Sequence, residues 1–185
     1  GGLRDLHAFT RRALSPHMGV RARPGFARLG AARLAVALAA LAAILLSLWQ
    51  LEGDRAGLII EPLAGTGTTP ATITRLAGAP PAPVVVIAHG FAGSRQLMES
   101  YAFSLARAGY VAVSFDFEGH GRNPVAMSGD VTSVEGTTRL LMAGTGRVAD
   151  AALAAPHANG QLALLGHSMA SDSIVRQALA DPRVR

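Results

Sequence analysis

The stretch that decides the fold is residues 161–180, QLALLGHSMASDSIVRQALA. An apolar run, Leu162–Leu165, leads into the turn Gly-His-Ser-Met-Ala at 166–170, and a helical pattern follows. A sharp turn between a strand and a helix exposes the Oγ atom of Ser168. It also directs the backbone N–H of Met169 toward the oxygen that becomes negative during acyl transfer. The order of strand, turn and helix therefore predicts an exposed serine nucleophile.

The residues beside this serine fit the same interpretation. Gly166 and Ala170 are small, as expected where a larger side chain would collide with neighbouring backbone. The ring of His167 is expected to point away from the serine hydroxyl and to pack against nearby loops. The turn alone leaves a second interpretation of Ser168 open, because serine is also a favoured helix N-cap.

A second signal lies upstream, in residues 84–93, VVVIAHGFAG. The run Val84–Ala88 is apolar and β-branched, which is typical of a strand buried on both faces of a parallel sheet. His89 and Gly90 follow at once. Since glycine permits a sharp turn, the backbone N–H of Phe91 is positioned to be a second donor to an oxyanion.

A third signal is the segment 110–124, YVAVSFDFEGHGRNP. Tyr110–Phe115 is predicted to be another buried strand. The loop after it begins at Asp116 and is rich in turn-forming residues, among them Gly119, His120 and Gly121.

The three motifs occur in order, each behind a predicted strand, and they resemble the α/β-hydrolase superfamily. The likeness is to its lysophospholipase-like and serine-aminopeptidase-like (proline iminopeptidase-type) branch. That branch has an HG loop after the third strand, a D-x-x-G-H-G loop after the fourth and a G-H-S-M-G elbow after the fifth. The resemblance covers residues 84–180 and implies an α/β-hydrolase fold, a mostly parallel sheet with helices on both faces. Ala170 stands where that elbow has glycine.

The resemblance further implies a Ser–His–Asp mechanism. Ser168 would attack an ester, amide or thioester carbonyl, a histidine would take its proton, and an aspartate would orient that histidine. In this superfamily the acid and the histidine follow the nucleophile along the chain. Asp172 and Asp181 follow Ser168, but no histidine does. We therefore expect the triad acid and histidine beyond residue 185, in a longer protein of which this chain is the N-terminal half.

Other polar residues of the motifs have two possible roles. His89 and His120 lie at the carboxyl ends of predicted strands, where ligands bind in such sheets. They could act as a base for Ser168 or bind loop backbone, and the second role is favoured. Asp116 ends the fourth strand, a position that the family uses to tie loops together. Asp172 falls in the first helical turn, where a negative charge favours the helix dipole.

Composition excludes several chemistries. Without cysteine there is no thiol nucleophile, disulfide or zinc–thiolate site, and since all 17 basic residues are arginine there is no lysine for a Schiff base. Glycine strings such as Gly144–Gly146 lack the dinucleotide fingerprint, so we predict no cofactor. His-rich metal-binding spacing is absent, so we predict no metal. The net charge of +5 comes without aromatic interleaving or a DNA-binding motif, so no nucleic acid is expected. The Ala- and Arg-rich composition suggests a bacterial gene.

The segment Leu34–Leu51, LAVALAALAAILLSLWQL, is uncharged. As a helix it reaches ~27 Å, close to the hydrocarbon thickness of a bilayer, and Trp49 suits the interface. An uncleaved anchor is favoured over a signal peptide, because no small-residue cleavage site follows, and over a buried amphipathic helix. Arginines crowd before the segment with the single acid Asp5. The positive-inside rule then predicts a bacterial inner-membrane protein with a cytoplasmic N-terminus and the hydrolase part outside.

This organisation predicts a basic cytoplasmic arm at 1–33, a transmembrane helix at 34–51 and the N-terminal part of a hydrolase domain at 56–185. Within that domain we predict strands at Leu58–Glu61 and Ala71–Leu76, a connector at Ala77–Pro83, and helices at Ser94–Ala108 and Thr137–Ala155. The first helix is expected to bury Leu97, Tyr101, Leu105 and Ala108. Thr132 and Glu135 have the spacing of a capping box for the second.

Three functions remain open. The first is a membrane-anchored serine hydrolase that cleaves ester, amide or peptide bonds. The second is a non-catalytic membrane protein that keeps the hydrolase fold, and the third is an acyltransferase that uses the same acyl-enzyme. The expected partners are a small-molecule, lipid or peptide substrate and membrane lipid.

Overall fold

The computed structural model describes residues 24–185, so most of the predicted basic arm, residues 1–23, lies outside the described residues. The first element is a long apolar helix, α1 (Pro24–Gly53). It begins ten residues before the predicted segment 34–51, because nothing in 24–33 interrupts a helix and proline is tolerated in a first turn. Its part Gly30–Gly53 is long and apolar enough to cross a membrane, and all its side chains are exposed.

From Gln50, in the last turn of α1, to Arg185 the chain forms a separate compact unit built on a five-stranded sheet. The strand order is β1-β2-β4-β3-β5, and only β2 runs against the other four strands. This confirms the predicted α/β fold with a mostly parallel sheet. The strands are β1 (Leu58–Pro62), β2 (Ala71–Leu76), β3 (Ala82–Ala88), β4 (Val111–Phe115) and β5 (Ala158–Gly166).

Three helices connect and cover the parallel strands. They are α2 (Glu99–Arg107), preceded by a 3-10 turn at Arg95–Met98, α3 (Val134–Leu153) and α4 (Ala170–Ala180). The larger apolar core lies between the sheet and α3 and α4, and a smaller one lies under α2. The predicted connector 77–83 is shorter than expected because β3 already starts at Ala82, whose N–H bonds the His157 carbonyl.

The predicted buried face of α2 is wrong in part: Leu105 packs partly buried against the smaller core, but Ala108 is exposed. Leu97 and Tyr101 are exposed, and the buried residues are Met98, Ala102 and Ala106. The 3-10 turn changes the phase of the periodicity, since it advances three residues per turn instead of 3.6. The small alanines then let the helix approach the sheet closely.

The predicted cap of α3 is also displaced by one residue. Ser133 is the N-cap, and its Oγ accepts a hydrogen bond from the Gly136 N–H at 2.9 Å. The same hydroxyl donates to Asp130 at 2.6 Å, while Thr132 donates to Asp130 instead of capping the helix. These bonds from Ser133 and then Thr132 lower the pKa of Asp130 below its usual value. The carboxylate therefore holds the capping serine in place.

Two glycines of α3 give a matched test of how closely this helix packs against Asp130. A Cβ on Gly146 would meet only Gln177, at 3.6 Å, whereas a Cβ on Gly136 would clash with the carbonyl and carboxylate of Asp130. Gly146→Ala is expected to stabilise the protein by about 0.5–1 kcal/mol through helix propensity. Gly136→Ala is expected to destabilise it by about 1–3 kcal/mol. Thermal unfolding of the detergent-solubilised protein measures both, and changes of the same sign would contradict the prediction.

Candidate active site

The three sequence motifs meet at one edge of the sheet because of strand register. Val86 of β3 pairs with Val113 of β4 and with Leu164 of β5, so the carboxyl ends of these strands lie side by side. The next pair along, Ala88 with Gly166, brings the loops after β3 and β5 together. Here we call residues 89–93 the oxyanion loop and residues 166–170 the nucleophile elbow.

The nucleophile elbow holds its serine in a strained conformation. Ser168 has φ = 54°, a left-handed value that costs a residue with a side chain about 1–3 kcal/mol. The side chain is exposed, and the His167 N–H donates to the Ala88 carbonyl at 3.0 Å, which ties the elbow to β3. A Cβ on Gly166 would lie 2.6 Å from Ile174, so only glycine lets α4 turn back this closely. Ala170, the departure from the family's glycine, is fully buried at the start of α4.

The oxyanion loop lies directly against the elbow. A Cβ on Gly90 would lie 2.9 Å from both Ser168 Cβ and His167 Nδ1, so glycine is required by close approach. The loop closes by a hydrogen bond from the Gly93 N–H to the Gly90 carbonyl at 3.0 Å. Within residues 24–185, Ala92, at φ = 52°, is the other non-glycine residue with positive φ besides Ser168. Strain among the described side-chain-bearing residues is thus concentrated in these two loops.

The predicted oxyanion donors are free to bind a ligand. Among the described residues, nothing accepts a hydrogen bond from the N–H of Phe91 or of Met169. The Gly90 carbonyl is held by both Gly93 and His89, and a planar trans peptide points its N–H opposite to its carbonyl. The direction of the Phe91 N–H is therefore fixed by the loop itself, as the predicted role of an oxyanion donor requires.

His89 supports this loop from the buried side. The Phe117 N–H donates to His89 Nε2 at 3.2 Å, so the proton resides on Nδ1, which donates to the Gly90 carbonyl at 2.8 Å. Both ring nitrogens are occupied and the side chain is fully buried. Burial is the main cause that lowers the pKa of His89 below its ordinary value of 6.5. It is a neutral link between two loops, with no nitrogen available to act as a base.

This buried neutral histidine predicts a loss of stability in mild acid. The unfolded chain takes up a proton near pH 6.5, whereas the folded protein resists until a lower pH. The contribution of neutral His89 to the free energy of unfolding is therefore complete above pH 6.5, and it is lost as the pH falls below that value. We expect the melting temperature to fall from pH 7.5 to roughly pH 5.5, and His89→Gln to show a smaller fall from a lower starting value. If the melting temperature of His89→Gln fell as steeply with pH as that of the wild-type protein, His89 would be excluded as the source of the pH dependence.

Asp116 joins the loop after β4 to Arg95, which lies just after the oxyanion loop. Its fully buried carboxylate accepts from the Arg95 N–H and guanidinium, both at 2.6 Å, and from the Arg122 N–H at 3.0 Å. Gly121 touches this carboxylate so closely that any Cβ there would overlap it. Arg95 had no signal in the sequence, because its role depends on a partner 21 positions away.

His120 and Gly119 shape the rim of the site. Gly119 has φ = 73°, and a Cβ there would lie 3.2 Å from Met127. His120 Nδ1 lies 3.0 Å from the Glu118 carbonyl, and its ring centroid is 6.1 Å from that of Phe91. The Phe91 side chain is 79% exposed. The exposed Phe91 ring and the His120 imidazole thus lie edge to face.

No histidine within residues 24–185 hydrogen-bonds the Ser168 hydroxyl. Asp172 binds Thr138 and Arg176. Asp181 binds Arg183, whose guanidinium lowers the pKa of that carboxyl. A cavity of about 610 Å³ between β1 and the end of α3 holds none of the predicted site residues.

A strained, exposed serine after a parallel strand, with the unpaired N–H groups of Phe91 and Met169 in the two adjoining loops, is typical of an α/β-hydrolase. The family model for serine aminopeptidase, S33, matches residues 79–183, more than half of the chain. The chain belongs to this family. No curated protein matches it.

Solved structures with the same fold include a protein from Klebsiella pneumoniae assigned as a dienelactone hydrolase. It has a TM-score of 0.53 and 18% identity, over 69% of this chain and 57% of that one. An epoxide hydrolase from an endophytic Streptomyces aligns with a TM-score of 0.48 and 23% identity, over 70% and 35% of the two chains. An epoxide hydrolase variant from Vigna radiata aligns with a TM-score of 0.49 and 18% identity, over 69% of this chain and 36% of that one. The chain spans less than two thirds of each.

Proposed function

We propose that the protein is a membrane-anchored serine hydrolase that cleaves an ester, amide or peptide bond through an acyl-enzyme on Ser168. The hydroxyl oxygen attacks the substrate carbonyl carbon while a base removes its proton. The tetrahedral intermediate then collapses, and the leaving group departs with a proton from that base. Water cleaves the acyl-enzyme in a second, equivalent round.

The observation that carries this proposal is the positive φ of Ser168 beside two unpaired N–H groups. A helix N-cap has extended backbone and uses its side chain to bind the helix, whereas Ser168 has left-handed backbone. Strain of this kind persists where the surrounding structure enforces it, and it is typical of functional sites. It favours the nucleophile over the alternative interpretation of Ser168 as a cap.

The base and its orienting acid are assigned by the family resemblance. His89 has no free ring nitrogen, and His120 holds a loop carbonyl, so neither is assigned as the base. We place the triad acid and histidine after residue 185, where the order nucleophile, acid, histidine puts them. Epoxide and dienelactone hydrolases share the fold, but their names do not identify the bond that this protein cleaves.

Anchoring by α1 is the second part of the proposal. The exposed apolar part Gly30–Gly53 has the length and composition of a membrane span. The arginine-rich sequence before it supports a cytoplasmic N-terminus in a bacterial cell, with the hydrolase unit on the outer side of the inner membrane.

One experiment tests both parts on the native, full-length protein. Membranes are treated with a fluorophosphonate probe, which forms a covalent adduct with activated serines, and are then washed with alkaline carbonate. We expect a labelled band in the washed membranes that disappears in Ser168→Ala and persists in Ser171→Ala. Ser171 is the matched control because it is an exposed serine one turn away. Labelling that survives Ser168→Ala would contradict the nucleophile, and a labelled band in the wash would contradict the anchor. An unlabelled wild-type protein would favour the non-catalytic alternative.

A further inference from the structure

The chain enters the hydrolase unit at the edge of the sheet opposite the nucleophile elbow. Residues 54–57 separate the end of α1 from the start of β1. The Gly57 carbonyl accepts a hydrogen bond from the Ala77 N–H at 2.9 Å, in the turn that leads to the start of β3. This entry point therefore lies where the parallel strands begin, whereas Ser168 lies where they end.

Two arginines hold the entry point against α2. The Arg107 guanidinium, at the end of α2, donates to the Asp54 carbonyl at 2.7 Å and to the Gly53 carbonyl at 3.4 Å. Arg55 pairs with Glu99, at the start of α2, at 3.2 Å. The backbone of this short turn is also closed by its own hydrogen bonds, so the entry point contains no flexible linker.

Two exposed turns at this edge of the sheet are uncharged. Residues 76–81, LAGAPP, lead to β3, and residues 108–110, AGY, lead to β4. We call these two turns the amino-edge surface. Leu76 is 38% exposed and Tyr110 is 39% exposed. Tyrosine is enriched where protein meets the membrane interface, so this surface suits contact with a bilayer.

The opposite edge of the sheet has a different character. The loop after β4, which borders the site, carries the charged residues Glu118, Arg122 and Asp130. Charged side chains are costly to move out of water. The edge that holds the nucleophile elbow therefore suits water.

The length of the strands sets the distance between these two edges. β3 has 7 residues, and at ~3.3 Å per residue such a strand spans ~20 Å. The proposed membrane span ends at Gly53, beside the entry point. With the amino-edge surface on the bilayer, Ser168 opens ~20 Å above the membrane boundary.

A lipid would reach Ser168 at this height only by leaving the bilayer. Each acyl methylene drawn into water lowers the accessible population about fourfold, so withdrawing ten of them lowers it by roughly 10⁶-fold. A substrate dissolved in water meets no such barrier.

From this arrangement we infer that the amino-edge surface contacts the membrane and that the substrate of Ser168 is a water-soluble ester, amide or peptide, not a lipid within the bilayer. This inference rests on the proposed function, because it takes both the anchor and the nucleophile from it.

The first test measures membrane contact without using activity. Residues 1–185 contain no cysteine, so one introduced cysteine gives a specific label. Ala108→Cys on the amino-edge surface and Ala126→Cys in the loop after β4 form a matched pair of exposed alanines. Each full-length variant, with any cysteine outside residues 1–185 replaced, is labelled with a fluorophore and reconstituted into phosphatidylcholine vesicles that contain a nitroxide-headgroup lipid. We expect the label at position 108 to be quenched and the label at position 126 to keep its fluorescence.

The second test measures substrate class in vesicles of phosphatidylcholine alone. We compare hydrolysis of p-nitrophenyl butyrate in the surrounding water with release of fatty acid from the phosphatidylcholine of the bilayer. The wild-type protein is expected to cleave the soluble ester and to release fatty acid at a rate lower by roughly 10³-fold or more. Ser168→Ala gives the background for both reactions.

The outcomes separate this inference from the proposed function. Quenching at position 126 as strong as at position 108, or quenching at neither position, would overturn the contact surface even where fluorophosphonate labelling of Ser168 supports the hydrolase. Fatty-acid release as fast as butyrate hydrolysis would overturn the substrate class. Absence of fluorophosphonate labelling would overturn the nucleophile and the substrate class together, while the quenching pattern still decides the contact surface.

Discussion

Ser168→Ala is expected to lower kcat/KM for an ester substrate by roughly 10⁴-fold or more in the full-length protein. The substitution removes the atom that would form the proposed acyl-enzyme, and no other described residue with a hydroxyl has a left-handed backbone conformation. The two N–H groups remain, so some rate above the uncatalysed reaction is expected to persist. The measurement is initial-rate hydrolysis of a p-nitrophenyl ester by purified protein in detergent.

The neighbouring serine supplies the control for this experiment. Ser171 is exposed in the first turn of α4, and Ser171→Ala is expected to change the rate by less than about twofold, as for surface substitutions that touch no site. Equal losses of hydrolysis rate in the two variants would show a general effect on α4 and would contradict the assignment of Ser168 as the nucleophile. A Ser168→Ala enzyme with wild-type activity would rule out the acyl-enzyme mechanism at this residue.

Asp116→Ala is expected to destabilise the protein by about 3 kcal/mol or more. The carboxylate has no exposed surface, and its loss leaves the Arg95 guanidinium and two backbone N–H groups without their acceptor. An uncompensated charge left in a largely buried place costs far more than a lost surface ion pair. The expected fall in melting temperature is roughly 6–12 °C, followed by differential scanning fluorimetry in detergent.

Asp150→Ala is the matched control for this carboxylate. Asp150 accepts from Arg183 at 2.7 Å, but its side chain is 66% exposed. Its loss is expected to cost less than about 1 kcal/mol. Similar melting temperatures for the two variants would show that Asp116 does not hold the loops together. For an Asp116→Ala protein that does not accumulate, Asp116→Asn, which keeps one acceptor oxygen, is expected to recover part of the stability.

Much of the sheet was predictable because its signals are local. Apolar β-branched runs identify β3 and β4, and glycine-rich loops after them identify their ends. The phase of α2 was not predictable in this way. Whether the helix buries Leu97 or Met98 depends on a 3-10 turn and on how closely alanines let the helix approach the sheet. The cap of α3 likewise depends on Asp130, which selects Ser133 over Thr132.

The sequence by itself determined the order of strands, turns and helices, the serine at the elbow, and an apolar helix of membrane-spanning length, because each depends on the conformational preferences of neighbouring residues. Only the tertiary structure decided which distant groups meet. Strand register sets Gly90 against Ser168, and the fold brings Arg95 onto Asp116 and Thr138 onto Asp172. These contacts join residues far apart in the chain, so their energies depend on sheet pairing and burial, which no local pattern contains.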